Sequence, residues 1–179
     1  MITAQVASAD VATLQQASFC VTNKQEAIVE ESALPPFTTA TLLQDAITLF
    51  GWSSSQVMQS AQWLFENGLI TYPRTDSISV APEASDEARK ITVLLFGKEV
   101  LNLKKRWNQM ENHADGAHEA IRPASSARMP HQLSEEIGAD ERQLYALIWK
   151  RFIAWHMIPA KYRIITVDLE SDENPSQRT

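Results

Sequence analysis

Cysteine is nearly absent: Cys20 is the single one in 179 residues. One thiol excludes an internal disulfide framework and fits a reducing compartment. Long apolar runs are missing too. Nothing approaches the roughly 20 residues that a membrane-spanning helix needs, and no charged, apolar and cleavage-site series marks a signal peptide. A cytoplasmic protein with no membrane partner is therefore expected. Positive charge is scarce, with 16 Lys and Arg against 22 Asp and Glu and a net charge of −6. That balance argues against indiscriminate duplex binding, where a basic surface supplies affinity through counterion release. The basic residues that exist are bunched: Arg89, Lys90, Lys98, Lys104, Lys105 and Arg106 share a stretch whose one acid is Glu99. The His-Glu-x-x-His spacing of zinc proteases is absent, because Arg122 stands where the second histidine after His118-Glu119 would be. No metal ligand set is expected in this chain.

The 44% apolar content supports a real core. The pattern along the chain is mainly α with short β segments, an α+β class. Ala17 to Val21 and Ala27 to Glu31 read as short strands around a turn at Asn23-Lys24. Pro35-Pro36 marks a boundary. Thr41 with Gln44 forms a capping-box pattern ahead of Leu42, Leu43, Ala46, Ile47 and Phe50, and Gly51 ends that helix. Ser53 with Gln56 repeats the pattern ahead of Val57, Ala61, Leu64 and Phe65, with Gly68 as the stop. Two short helices followed by a strand at Leu69 to Tyr72 resemble a winged helix-turn-helix. Pro82 opens a third helix to Phe96 with Ala84, Ala88, Ile91 and Leu95 on one face. The longest helix follows Asp140, with an apolar stripe of Leu144, Leu147, Ile148, Phe152 and Trp155. Lys161 to Leu169 alternates as a strand, and residues 172–179 read as a flexible tail. The expected organisation is a partial β-rich domain over 1–34, a mostly helical tyrosine-bearing domain over 35–158, and a strand returning to the β-rich domain over 159–179.

Chemistry concentrates in Gly68-Leu69-Ile70-Thr71-Tyr72-Pro73-Arg74-Thr75-Asp76-Ser77. Pro73 disfavours the α region for Tyr72 and lacks an N–H, so the segment reads as extended. In an extended chain Tyr72, Arg74 and Asp76 project to one side. An ordinary tyrosine, with a pKa of about 10, is a poor nucleophile at neutral pH. A guanidinium two residues away favours the phenolate and stabilises a phosphate under attack. A second polar segment, His113 to Arg122-Pro123, reads as a loop in which His118 could bind phosphate or move a proton. A bland reading stands beside this one, in which Tyr72 is a half-buried strand tyrosine, Asp76 a turn residue and His118 a structural histidine.

Gly68 to Ser77 closely resembles the active-site segment of the type IA DNA topoisomerases. Pro35-Pro36-Phe37-Thr38-Thr39-Ala40-Thr41-Leu42 is similar to the family's entry into its tyrosine domain. Ala117-His118-Glu119-Ala120-Ile121-Arg122-Pro123 is similar to its histidine motif, and Ile158-Pro159-Ala160-Lys161-Tyr162 to its exit. Pro73 replaces the methionine common in bacterial topoisomerase I and resembles the topoisomerase III branch. The His-Glu-Ala-Ile-Arg-Pro run points to the topoisomerase I and reverse gyrase side.

The resemblance implies that Tyr72 attacks a phosphodiester of single-stranded DNA to give a transient 5′ phosphotyrosine. Arg74 would stabilise the phosphoryl charge, with His118, Asp76, Thr75 and Arg122 binding DNA or supporting the site. It further implies religation without ATP and relaxation of negatively supercoiled DNA. Magnesium would be held by a TOPRIM domain whose Asp-x-Asp-x-Glu cluster has no counterpart here, so this chain reads as a central fragment that by itself does not relax DNA. The partners implied are single-stranded or negatively supercoiled DNA and the remaining domains of a longer parent, in the nucleoid. Two alternatives remain: a non-enzymatic winged-helix DNA-binding module, and a silent protein-interaction domain. The helix from Ser55 to Asn67 carries no lysine or arginine, which counts against the first.

Overall fold

In the computed structural model, which describes residues 17–103 and 119–171, the chain divides into two units. The tail 172–179 lies outside the described residues, as do Lys104, Lys105 and Arg106 of the basic stretch. The smaller unit, 1–31 and 161–179, contains a two-stranded ribbon of β1 (Phe19–Glu31) and β2 (Ala160–Ser171). Every residue of both strands is exposed. The turn expected at Asn23-Lys24 does not form. β1 runs straight through it, because Asn23 Nδ2 donates to Asp168 Oδ2 at 2.9 Å and Thr22 Oγ1 to the Asp168 carbonyl at 3.3 Å, using the polar side chains for cross-strand pairing.

The larger unit, Ser32–Ala160, carries the four α-helices found among the described residues: α1 (Thr39–Phe50), α2 (Ser54–Glu66), α3 (Pro82–Phe96) and α4 (Ala139–Trp155). A short 3₁₀ turn spans Pro130–Gln132. The architecture is α+β. α4 is central and packs on α1, α2 and α3. Its buried residues, Leu144, Tyr145, Ile148, Trp149, Phe152, Ile153 and Trp155, wrap more than one stripe, as expected of a helix covered by three neighbours.

Several local expectations shift. The cap of α1 is Thr38 rather than Thr41. Thr41 N–H donates to Thr38 Oγ1 at 3.3 Å, and Thr38 N–H donates back to Thr41 Oγ1 at 2.9 Å, so a threonine replaces the usual Glu or Gln of a capping box. α2 is capped by Ser53, whose hydroxyl accepts from Gln56 N–H at 3.2 Å. α3 turns Ser85, Ala88 and Thr92 inward, while Leu95 is exposed. Two of those three inward residues are polar because they are satisfied in place. Thr92 donates to the Ala88 carbonyl at 2.8 Å, and Ser85 Oγ sits 3.0 Å from Nε2 of the buried His156. His156 Nδ1 lies 2.8 Å from the Phe152 carbonyl, which can only accept, so Nδ1 carries a proton.

Two side chains of α4 anchor other segments against this core, Arg151 the entry segment and Tyr145 the stretch at Arg128. Arg151 of α4 donates through Nε to the Pro35 carbonyl at 2.7 Å, pairs with Asp45 Oδ2 at 3.1 Å, and lies 4.5 Å over the Phe37 ring. Burial pulls its pKa down and Asp45 opposes that, while the guanidinium stays charged. Tyr145 donates to the Arg128 carbonyl at 2.6 Å, and its burial pushes the phenol up to about 12, so it is a neutral structural donor.

Candidate active site

Gly68 makes the turn out of α2 with φ of +66°, a left-handed conformation that a β-carbon disfavours. Beyond it the backbone is irregular. The strand expected over Leu69 to Tyr72 reduces to one antiparallel bridge between Ile70 and Pro123, because Pro73 cannot extend a ladder. The wing of a winged helix is thus not formed as a strand. Exposure nevertheless alternates: Tyr72, Arg74 and Asp76 are exposed, while Pro73 and Thr75 between them are buried. Alternation without a partner strand needs another source of hydrogen bonds, and three threonines supply it.

Thr39, the first residue of α1, is the principal clamp. Its hydroxyl accepts from Thr75 N–H at 2.8 Å and lies 2.8 Å from the Pro73 carbonyl and 3.0 Å from the Thr75 carbonyl, between which its single proton is shared. Thr39 N–H also donates to the Thr75 carbonyl at 2.9 Å. Arg74 is therefore held from both sides along the backbone. Thr75, turned inward, accepts from Ser77 N–H at 3.0 Å and shapes the exit toward Ser79. Thr71 performs the same service on the other flank. Its hydroxyl donates to the Ala120 carbonyl at 2.7 Å and accepts from Arg122 N–H at 3.0 Å, and its own N–H donates to the Arg122 carbonyl at 3.0 Å.

Three segments far apart in the chain meet here. Phe37 bridges Ile121, Ile70 bridges Pro123, and Ala120 N–H donates to the Ser79 carbonyl at 2.8 Å. The entry segment, the tyrosine segment and the residues after the histidine thus form one knot over buried Phe37, Ile70 and Ile121. Glu119 ties it further: Oε1 accepts from Ala81 N–H and Oε2 from Arg122 Nη2, each at 2.6 Å. Arg122 also donates to the Pro123 carbonyl at 2.9 Å, and its side chain is only 11% exposed, which makes it a girder of the site. Its Nε is buried with no partner among the described residues. His118 lies outside the described residues, as does the polar run from His113.

Two chemically different surfaces flank Arg74. On one side an open groove of about 420 Å³ is lined by Thr38, Thr39, Ala40, Arg74, Thr75 and Asp76. Arg74 brings a positive charge to it and Asp76 a negative one, while at the start of α1 the N–H groups of Thr39 and Thr41 are already bonded to the Thr75 carbonyl and to Thr38 Oγ1. On the other side Arg74 borders a larger groove along α2. Tyr72 is 40% exposed, and its ring rests edge-on against Phe65 of α2, centroids 5.4 Å apart. The phenol is thus steadied by packing yet accessible. Among the described residues no three His, Cys, Asp or Glu come together as a metal site, and no helix is long and apolar enough to cross a membrane.

Comparison with known proteins decides what this knot belongs to. The family model described as DNA topoisomerase matches residues 2–178. The chain belongs to the DNA topoisomerase family. DNA topoisomerase 1 of Xylella fastidiosa is 38% identical over 159 residues, covering 83% of this chain and 19% of that relative. The enzyme of the same name from Thermotoga maritima is 36% identical over 158 residues, covering 83% and 25%, and that of Zymomonas mobilis 39% over 167 residues, covering 93% and 13%. The solved full-length topoisomerase I from Thermotoga maritima superposes with a TM-score of 0.72 at 32% identity, over 94% of this chain and 28% of that one. The chain therefore spans a quarter or less of the length of these curated relatives. These relatives establish the type IA membership that the four motif segments implied.

Sequence reasoning singled out Tyr72, Arg74 and Asp76, and it passed over Thr39, Thr71 and Glu119. The signal available for Thr39 was its place one residue after the helix cap, within a segment already matched to the family.

Proposed function

We propose that this chain is the tyrosine-bearing portion of a longer type IA topoisomerase, and that Tyr72 is its nucleophile. The observation that carries the reading is the knot: an accessible, packed phenol and an exposed guanidinium stand on one clamped segment. The Tyr72 phenolate oxygen attacks the phosphorus of a single-stranded DNA backbone. The bond to the 3′ oxygen breaks, that oxygen takes up a proton, and a 5′ phosphotyrosine remains. The phosphodiester energy is kept in the new ester, so rejoining by the 3′ hydroxyl needs no ATP. Strand passage through the break relaxes negative supercoils.

Arg74 binds and neutralises the phosphoryl oxygens as charge builds up. Asp76, on the same groove, orients the guanidinium or His118. His118 binds the strand or donates the proton to the leaving oxygen. Thr75 and Arg122 support the site from inside. Magnesium in the full-length protein would be held outside the residues described here, among which no three His, Cys, Asp or Glu come together. The protein works in the cytoplasm at the nucleoid, with its other domains supplying much of the strand path.

Replacing Arg74 by alanine is expected to slow adduct formation roughly 10²–10³-fold, the usual loss for a group aimed at developing charge. Lysine should recover only part of this, because it lacks the planar fork that grips two oxygens. Single-turnover cleavage of a labelled oligonucleotide by the full-length protein measures both, and equal rates for wild type and Arg74→Ala would contradict the role. The isolated 179-residue chain, folded and supplied with magnesium, is expected to leave a supercoiled plasmid unrelaxed. Robust relaxation on an agarose gel would show that the fragment reading is mistaken.

A further inference from the structure

Arg151 stands on α4, outside the tyrosine segment, and grips the stretch of chain from which the clamp on that segment hangs. Its side chain is largely buried and holds three groups at once. Nε donates to the Pro35 carbonyl at 2.7 Å, Nη1 donates to Asp45 Oδ2 at 3.1 Å, and Cζ lies 4.5 Å over the Phe37 ring. Stability alone does not call for a charge here, since apolar side chains of similar volume often replace a buried ion pair at no cost. What a guanidinium adds is geometry. Its planar fork fixes the directions of its donors and stacks flat on a ring, so it sets the Pro35 backbone, the Phe37 ring and the body of α1 in one register.

Thr39 lies between the points that Arg151 holds. Its hydroxyl and its N–H bind the carbonyls of Pro73 and Thr75 and the N–H of Thr75, on either side of Arg74. A shift of the entry segment is therefore passed to the backbone that carries Tyr72 and Arg74, which has no strand partner to resist it.

We propose that Arg151 is a positioning residue for strand cleavage, placing Tyr72 and Arg74 through the entry segment and Thr39. The proposal rests on the Tyr72 reading. Lysine at this position keeps the charge beside Asp45 but presents one nitrogen where the fork presents two, so the Pro35 carbonyl and Asp45 are no longer held in one fixed geometry.

The test is single-turnover cleavage by the full-length protein at saturating labelled oligonucleotide, at a temperature where melts show every variant folded. Arg151→Lys should slow adduct formation by about tenfold, since a misplacement of about 1 Å at a catalytic group can cost 10²-fold. Tyr145→Phe is the control, because it removes a hydrogen bond from the same helix to the Arg128 carbonyl, off this path. It should lower the melting temperature and cleave at the wild-type rate. Added to Thr39→Val, Arg151→Lys should slow the reaction further by less than about twofold, because the route is already broken, whereas independent effects would multiply. Three results overturn the positioning role and leave the nucleophile standing: Arg151→Lys at the wild-type rate, equal slowing in the two backgrounds, or Tyr145→Phe slowed as much as Arg151→Lys. A wild-type adduct on a residue other than Tyr72 overturns the nucleophile and the positioning role together.

Discussion

Tyr72→Phe is expected to abolish covalent attachment to single-stranded DNA, with a loss of at least about 10⁴-fold, while leaving the fold in place. The two halves of this expectation come from different atoms. The ring's contact with Phe65 is an edge-on packing of carbon faces at 5.4 Å, and phenylalanine preserves it. Only the oxygen is lost. An exposed tyrosine hydroxyl contributes about 1 kcal/mol or less to stability, so thermal melts of the two proteins should nearly coincide. Under the proposed mechanism the same oxygen is the nucleophile. Groups that act as a unit fail together when the nucleophile goes. Cleavage and relaxation should therefore vanish together. A variant that still forms adduct at a tenth of the wild-type rate would place the nucleophile elsewhere.

Thr39→Val is expected to cost about 2 kcal/mol of stability and to slow adduct formation on the order of 10–100-fold. Valine keeps the shape of threonine and loses the hydroxyl. Thr75 N–H then has no acceptor in a residue that is only 7% exposed, and the Pro73 carbonyl loses its donor. An unpaired buried polar group costs about 1–3 kcal/mol. The activity loss follows from geometry, because the Pro73-Arg74-Thr75 backbone has no strand partner to hold it once the clamp is gone. A displacement of about 1 Å at a catalytic group can cost 10²-fold. Thr39→Ser retains the hydroxyl and should restore both quantities to near wild type. Urea unfolding gives the stability, and cleavage kinetics at saturating DNA give the rate. If serine fails as badly as valine, the methyl group rather than the hydroxyl holds the loop.

What could be read from the sequence was what repeats locally. Leu42 and Ala46, Val57 and Leu64, and Leu144, Ile148 and Phe152 announce their helices by spacing, and all are buried. Gly51 and Gly97 end their helices in left-handed conformations. Pairings between distant segments were illegible. Ile70 was expected in a strand, but its single bridge is to Pro123, in a segment far along the chain. Ser85 and Thr92 are not among the residues read as the apolar face of α3, yet they face inward because His156 and the helix's own carbonyls satisfy them. Thr39 and Thr71 carry hydroxyl bonds to backbone 34 to 51 residues distant, which no periodicity reveals. The site itself was legible for a different reason: Tyr72, Arg74 and Asp76 were legible as a family motif, and their alternation survives in the structure although the strand that would normally produce it does not.

The most direct test is to trap the full-length protein on a labelled single strand with denaturant, digest it, and locate the modified residue by peptide mass. The account predicts a deoxynucleotide 5′ phosphate on the phenol of Tyr72 and on no other residue. A modified peptide that excludes Tyr72, or no adduct from protein shown to be folded and supplied with magnesium, would contradict it.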